Sequence, residues 1–323
     1  MAINIVVKTA LKALSYKDID VKKNYMLQRS LVNLAHRHYM KPFYKTWDHE
    51  IYFNDHKIPV RIFSPEVVGD YPILLFFHGG GWVTGNIDSY DKVCTNMARL
   101  TNHIVVSVDY RLAPEHRFPA ALEDCYHVAR ALFLDEHLIN IQNKKITVIG
   151  DSAGGNLAAA LSLMARDRKE FNIERQILLY PSTYNNHSSE SPFPSIHENG
   201  SDYLLTSKRI CDYMELYIKN EEDFNNPYFA PLLSTDLSNQ PNTLIITAEY
   251  DPLRDEGEEY GKKLRAANNL VDIYRIKDSL HGFFALPPMF PQVKLCYDII
   301  NRFLSEESLF NEEAKVTRVE QVR

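Results

Sequence analysis

The pentad Gly150-Asp151-Ser152-Ala153-Gly154 is the part of the sequence best suited to chemistry. It follows the apolar run 146–149 and precedes an alanine-rich segment, so we predict that Ser152 lies at a strand-to-helix turn. Glycines at both ends of the pentad let the strand and the helix close around a serine whose hydroxyl is lifted above the sheet. Ser152 is therefore a candidate nucleophile.

A serine hydroxyl needs a base, and the base needs an acid that holds it in the correct tautomer. Where a serine stands on this kind of turn, the acid and then the histidine follow it along the chain. Asp251 comes after the apolar run 244–248, and His281 comes after the last predicted strand. Glu249 and Asp255 compete for the role of the acid, and Asp251 could instead only cap the next helix. We favour Asp251 because a loop position lets its carboxylate turn toward the histidine.

A glycine run after another apolar strand could hold the negative charge that develops on a carbonyl oxygen. The run His78-Gly79-Gly80-Gly81-Trp82 follows the stretch 73–77. Together with the backbone N–H of Ala153, the N–H groups of Gly80 and Gly81 would form an oxyanion hole. A merely flexible turn is one alternative. A phosphate-binding loop is another, but no lysine or hydroxyl residue stands where a P-loop requires them. We expect an oxyanion hole, with His78 as a structural hydrogen-bonding residue.

Composition and charge limit the classes of partner and ligand that the chain could bind. The chain has 323 residues, with 36 Lys plus Arg against 42 Asp plus Glu and no long basic stripe, which argues against nucleic acid. The four cysteines form no C-x-x-C pair, and no H-E-x-x-H motif occurs, so we expect no metal. No apolar run reaches about 18 residues and no secretory signal is recognisable, so we expect a cytoplasmic protein without stable membrane insertion. A homodimer stays open.

Short apolar runs predict the strands of a buried, mostly parallel sheet. They span residues 73–77, 104–108, 146–149, 177–180, 244–248 and 271–276. Helices are predicted between most of these runs, as alternating βα units require, and residues 50–63 predict a hairpin at one edge. The fold class is therefore α/β, and Asp251 stands at the carboxyl ends of the strands, where open α/β sheets bind ligands.

Two further regions are expected to cover the candidate site. In the first 45 residues, apolar side chains recur at helical spacing at Leu27, Leu31, Leu34 and Ala35. Residues 183–242 contain no convincing strand but carry a helix capped by Thr206 or Ser207, which is more typical of an inserted subdomain than of a loop. The apolar face of that helix is formed by Ile210, Tyr213, Met214, Tyr217 and Ile218. We divide the chain into N-terminal cap helices (1–45), a first core part (46–182), an inserted helical cap (183–240) and a second core part (241–323).

Several separated motifs together resemble the hormone-sensitive-lipase-like family of α/β-hydrolases, in the branch that bears the sequence GDSAGG. These motifs are His78–Trp82, Asp109–Ala121, Gly150–Gly155, Asp251–Asp255 and His281–Phe283, and the resemblance covers about residues 60 to 305. It implies an α/β-hydrolase fold with a helical cap. It also implies that Ser152 is the nucleophile, His281 the base and Asp251 its orienting acid. The oxyanion donors implied are Gly80, Gly81 and Ala153.

Members of that family are mostly carboxylesterases that prefer short- to medium-chain acyl esters and need no cofactor. The resemblance thus leads us to expect a serine carboxylesterase that forms an acyl-enzyme with a small-molecule ester. Trp82, Tyr184, Tyr203 and Phe283 are candidate pocket residues, although each could simply be packed in the core. The alternatives are an acyltransferase, a lactonase or an amidase with the same triad. A non-catalytic small-molecule receptor of this fold is disfavoured because all three triad candidates are present.

Overall fold

The structure of the protein is a computed structural model that describes residues 20–35, 46–53, 56–65, 67, 69–135, 145–305 and 316–318. The described helices are α1 (Val21–Ala35), α2 (Asp91–Thr101), α3 (Ala120–Leu134), α4 (Ala153–Arg168), α5 (Pro194–Asn199), α6 (Ser207–Tyr217), α7 (Arg254–Ala266) and α8 (Pro291–Ser305). The described strands are β1 (Thr46–Phe53), β2 (His56–Phe63), β3 (Ile73–Phe77), β4 (Ile104–Val108), β5 (Ile146–Asp151), β6 (Arg175–Leu179), β7 (Asn242–Tyr250), β8 (Val271–Leu280) and β9 (Val316–Arg318). Single turns of 3-10 helix lie at Glu221–Asn225, Pro231–Leu233 and Phe283–Ala285.

The strands form one sheet in the order β1-β2-β4-β3-β5-β6-β7-β8-β9. The six strands from β3 to β8 run parallel, while β1, β2 and β9 pair antiparallel at the two sides. Every residue of β3 and β4 is buried, because helices cover both faces of the sheet. The sheet confirms the mostly parallel α/β architecture that the sequence predicts.

Two apolar clusters hold the layers together, one on each face. The first contains buried side chains of α3, α4 and α7, and the second contains those of α2 and α8. Helix α4 lies against β3, β5 and β6, and all of its residues from 153 to 165 are buried. The small side chains of α4 allow it to pack closely on the sheet. The helix begins at Ala153, two residues after the last residue of β5. None of the described helices is both long and apolar enough to cross a membrane.

Strand ends matter most for the site. Because β3, β5, β7 and β8 are parallel, their carboxyl ends meet at one edge of the sheet. Strand β7 continues to Tyr250, two residues past the predicted run, so Asp251 follows it directly. Strand β9 was not expected from the sequence, and it pairs with residues 274–276 along the outer side of β8.

Helix α1 does not bury the face that its spacing predicts. Leu27 is 57% exposed and Leu31 is 52% exposed, whereas Val21 at the start of the helix is fully buried. The side chains of residues 34–35 lie outside the described part of the chain, as do residues 1–19, 36–45 and 54–55 of the predicted helical region and hairpin. A buried face at Leu27 and Leu31 is therefore wrong: Val21 and Tyr25 are the described side chains of α1 that pack on the core, and polar contacts add to them. Arg29 of α1 donates to the carbonyl oxygens of Val83 and Ala113 and pairs with Glu115.

The chain between β6 and β7 carries helices α5 and α6 and, in its described residues, no strand. Thr206 caps α6 by accepting a hydrogen bond from the backbone N–H of Arg209 at 3.2 Å. Four of the five residues of the predicted apolar face are buried, namely Ile210, Met214, Tyr217 and Ile218. Helix α6 also lies against α1, so these two helices sit side by side.

Candidate active site

Ser152 occupies the turn between β5 and α4 in a strained backbone conformation. Its φ of 55° and ψ of −118° lie in a region that residues other than glycine rarely adopt. A Cβ at Gly150 would stand 2.2 Å from the carbonyl oxygen of Gly154, and a Cβ at Gly154 would stand 2.0 Å from that of Phe77. The turn therefore requires glycine at both positions, which is why the pentad has this form.

Ser152, His281 and Asp251 are joined by two short hydrogen-bond distances. The Nε2 atom of His281 lies 2.8 Å from Oγ of Ser152, and its Nδ1 atom lies 2.7 Å from Oδ2 of Asp251. Asp251 is fully buried, and its Oδ1 atom accepts a hydrogen bond from the backbone N–H of Leu253 at 2.8 Å. A proton on Nδ1 would thus be held by the carboxylate, which leaves Nε2 to accept the serine proton.

The two competing carboxylates are occupied elsewhere. Glu249 accepts a hydrogen bond from the backbone N–H of Asp278 at 2.7 Å. Asp255, in the first turn of α7, pairs with Arg254 and accepts from the backbone N–H of Ser195 at 2.8 Å. Of the three candidates for the acid, the structure therefore brings only Asp251 to the imidazole.

The glycine run forms a tight turn after β3. Gly80 has a φ of 122° and Gly81 a φ of 62°, both in the left-handed region that favours glycine. A Cβ on Gly80 would stand 2.2 Å from the carbonyl oxygen of Thr84, whose own N–H donates to Gly80 O at 3.0 Å. Among the described residues, none accepts a hydrogen bond from the N–H groups of Gly80, Gly81 or Ala153. These three donors are available to a ligand.

His78, at the entry of this turn, is buried and held by its neighbours. Its Nδ1 atom donates to the carbonyl oxygen of Gly79 at 2.8 Å, and its ring stacks on that of Tyr110 with 4.3 Å between centroids. Burial lowers the pKa of His78 to about 4, so its imidazole is neutral near pH 7. This arrangement fits a residue that supports the turn.

A cavity of about 220 Å³ opens over the serine. The five candidate reacting or donor residues Gly80, Gly81, Ser152, Ala153 and His281 all line it. Its wall is completed by Trp82, Tyr90, Asp151, Ser182, Leu205, Ile210, Tyr213, Leu253 and Gly282. The wall is mostly apolar, and within the described part of the chain it contains no lysine or arginine. The cavity suits an uncharged organic group.

Of the four aromatic residues proposed for the pocket, the structure brings Trp82 to this cavity. The other three do not belong to its described wall. Each of them packs against another ring. The pairs, with their centroid distances, are Tyr184 with Phe193 (5.2 Å), Tyr203 with Tyr250 (5.1 Å) and Phe283 with Tyr180 (5.5 Å).

Several wall residues escaped the sequence reasoning. Tyr213 was assigned to an apolar helix face, yet its ring lies over Gly81, where a Cβ would stand 2.5 Å from Cγ of the tyrosine. Its hydroxyl donates to Gln28 of α1 at 3.2 Å, so α6 and α1 both lie close to the cavity. Helical spacing identifies an apolar face but not whether that face meets a core or a cavity.

The described residues contain no cluster of three or more His, Cys, Asp or Glu side chains that could hold a metal ion.

Several known proteins are similar to this chain. A family model described as the alpha/beta hydrolase fold matches residues 74–285. An arylesterase of Saccharolobus solfataricus is 35% identical over 279 residues, which cover 86% of this chain and 87% of the relative. The carboxylic ester hydrolase LipN of Mycobacterium tuberculosis is 39% identical over 238 residues, which cover 71% of this chain and 62% of LipN. A solved structure of a hyperthermophilic esterase from the archaeon Pyrobaculum calidifontis aligns with a TM-score of 0.82 and 34% identity, over 95% of this chain and 99% of the other.

Proposed function

The chain belongs to the α/β-hydrolase family, in its hormone-sensitive-lipase-like group, and is a serine carboxylesterase; on this premise we propose that Ser152 is the nucleophile that forms an acyl-enzyme. The observation that carries the proposal is the pair of hydrogen-bond distances that links Ser152 through His281 to Asp251. We propose short- to medium-chain acyl esters as the substrates.

In the first half-reaction, Nε2 of His281 takes the proton of Ser152 as Oγ attacks the ester carbonyl carbon. The imidazolium that forms is stabilised by the Asp251 carboxylate, which stays ionised and keeps the ring in place. His281 then gives the proton to the leaving alcohol oxygen as the C–O bond breaks. The products of this step are a free alcohol and an acyl group on Ser152.

In the second half-reaction, water takes the place of the alcohol. His281 accepts a proton from the water as its oxygen attacks the acyl carbon, and it returns that proton to Oγ as the acid leaves. In both half-reactions, the former carbonyl oxygen carries a negative charge in the tetrahedral intermediate. The N–H groups of Gly80, Gly81 and Ala153 stabilise that charge by donating hydrogen bonds to the oxygen. One such donor is worth a factor on the order of 100 to 1000 in rate.

The size of the cavity supports small substrates. At about 220 Å³ it lies below the range of roughly 300 to 1,000 Å³ that is usual for drug-sized ligands. Helix α6 supplies Ile210 and Tyr213 to the wall, and Leu205 stands just before it. We therefore keep residues 183–240, together with the N-terminal helices, as the cap that limits the acyl chain.

The cysteines support the proposed cytoplasmic location. All four are free thiols, and three of them are buried. Unpaired cysteines are usual in compartments that keep thiols reduced, whereas secreted proteins more often pair them.

The proposal is tested with a panel of 4-nitrophenyl esters from acetyl to palmitoyl, measured on the wild type and on Ser152→Ala. We expect the highest kcat/KM between acetyl and about octanoyl, and loss of about a million-fold in turnover in the variant. Equal turnover by both proteins would show that another residue is the nucleophile. A palmitoyl ester as the best substrate would contradict the proposed chain length.

A further inference from the structure

The carboxylate of Asp151, next to the nucleophile, has no part in the mechanism above. It ends β5, lines the cavity and is only 3% exposed. A buried carboxylate is costly unless hydrogen bonds compensate it. Here Oδ1 accepts from the backbone N–H of Gly79 at 2.8 Å, and Oδ2 accepts from the hydroxyl groups of Tyr90 at 3.1 Å and Tyr180 at 3.4 Å.

Gly79 is the first glycine of the turn that carries the proposed oxyanion donors. Its N–H is also 3.1 Å from the hydroxyl oxygen of Tyr90, so one peptide is held by both side chains. A Cβ on Gly79 would stand 2.8 Å from Oδ2 of Asp151, which shows how closely the backbone approaches the carboxylate. The ring of Tyr90 is fixed in turn, because it packs against Phe76 and His78 at 5.7 and 5.4 Å between centroids.

These contacts connect two separate parts of the site. The nucleophile stands at the end of β5, whereas the glycine turn follows the neighbouring strand β3. Asp151 bridges them, because it is the last residue of β5 and its side chain accepts a hydrogen bond from the backbone of Gly79 in the glycine turn. A carboxylate has acceptor oxygens for both Gly79 and Tyr90, while an amide has only one oxygen.

We infer that Asp151 and Tyr90 are positioning residues that hold the peptide of Gly79, so that the N–H groups of Gly80 and Gly81 face the ester carbonyl oxygen attacked by Ser152. This inference rests on the proposed function. Catalytic donors act through their position, and a displacement of about 1 Å is enough to cost on the order of a hundredfold in rate. Asp151 therefore acts on the transition state through the glycine turn.

The experiment compares three variants that loosen the turn with one that does not. Asp151→Ala removes both acceptors, Asp151→Asn keeps one, and Tyr90→Phe removes a hydroxyl that contacts both Asp151 and Gly79. Tyr180→Phe is the matched control, because it removes a hydroxyl that contacts the same carboxylate but not Gly79. Near-ultraviolet circular dichroism verifies that each variant is folded.

Each protein is assayed with 4-nitrophenyl butyrate and with its thiono analogue, in which sulfur replaces the carbonyl oxygen. Sulfur is a weak hydrogen-bond acceptor, so the oxyanion donors help the thiono ester much less. We expect kcat for the oxygen ester to fall about a hundredfold in Asp151→Ala and about tenfold in Asp151→Asn and Tyr90→Phe, with KM within about threefold. The ratio of oxygen-ester to thiono-ester rates should fall by a similar factor, while Tyr180→Phe keeps the wild-type ratio.

An unchanged ratio in all three variants, with an active wild type, would overturn the inference and leave the esterase assignment intact. Equal losses of rate on both esters count as an unchanged ratio, because a general loss of structure would slow both reactions alike. Failure of the wild type to hydrolyse either ester would instead refute the proposed function, and the inference with it. If Asp151→Ala does not fold, Asp151→Asn and Tyr90→Phe still decide the question.

Discussion

Replacement of Asp151 by Asn is expected to change how the stability of the protein depends on pH. Burial raises the pKa of the Asp151 carboxyl from 3.8 to about 6, and the hydrogen bonds from Tyr90 and Gly79 offset only part of this effect. The native state then binds a proton more tightly than the unfolded chain does. The free energy of unfolding of the wild type therefore decreases as the pH rises from 3.8 to about 6. The neutral Asn variant does not show this decrease.

The size of the effect follows from the two pKa values. One pKa unit corresponds to about 1.4 kcal/mol, so ionisation of Asp151 costs the native state about 3 kcal/mol at pH 7. At pH 5, Asp151 is mostly protonated in the native state but mostly ionised in the unfolded chain. The resulting loss of stability at this pH is about 2 kcal/mol. The difference in free energy of unfolding between Asp151→Asn and wild type should thus shift by about 1 kcal/mol in favour of the variant between pH 5 and pH 7.

Urea unfolding followed by tryptophan fluorescence at pH 5, 6 and 7 measures this shift. Asp236→Asn is the control, because hydrogen bonds from Ser238 lower the pKa of the exposed Asp236 below 3.8. Its difference from wild type should be constant across the same range. A constant difference for Asp151→Asn as well would show that the Asp151 carboxyl is already ionised at pH 5 in the native state, and that burial does not raise its pKa to about 6.

Asp251→Asn should lower kcat/KM for 4-nitrophenyl butyrate by about ten-thousandfold, whereas Glu249→Gln and Asp255→Asn should stay within about tenfold; an equal loss at Glu249 would assign the acid differently. Burial lowers the pKa of His78 from 6.5 to about 4, so wild-type stability should fall as the pH drops below 6.5. In urea unfolding, His78→Gln should therefore gain on wild type from pH 7 to pH 5, and a pH-independent difference would count against a neutral His78. Esters with an uncharged butyryl chain should have kcat/KM about a hundredfold above matched esters that end in a carboxylate, because the described wall offers no lysine or arginine; equal values would contradict the apolar pocket.

Much of the site could be predicted because its chemistry is bound to backbone geometry. Gly150 and Gly154 leave no room for a Cβ, and Gly80 and Gly81 have positive φ angles, so their spacing is visible in the sequence. The apolar runs predicted the parallel strands because both faces of the sheet are covered. The side chain of Asp251 was assigned on chain order, and its contact with His281 is a feature of the structure.

Other features depend on contacts between distant parts of the chain, which periodicity does not report. Leu27 and Leu31 have the spacing of a buried face, yet they are exposed, while Val21 and Tyr25 of the same helix pack on the core. Tyr90 carries no local signal, because its contact with Asp151 spans 61 positions. Strand β9 pairs with the outer side of β8 over three residues, which are too few to show the alternating pattern of a strand in the sequence.

The residue that carries the covalent intermediate decides whether Ser152 is the nucleophile. A 4-nitrophenyl alkylphosphonate reacts with an activated serine to form a stable tetrahedral adduct and release nitrophenolate, so stoichiometry and labelling site can be measured together. We predict one nitrophenolate per chain and, after proteolysis and mass spectrometry, a phosphonyl group on Ser152, with labelling slowed by orders of magnitude in His281→Gln. An active wild type that is not labelled, or is labelled at another residue, would show that Ser152 is not the nucleophile.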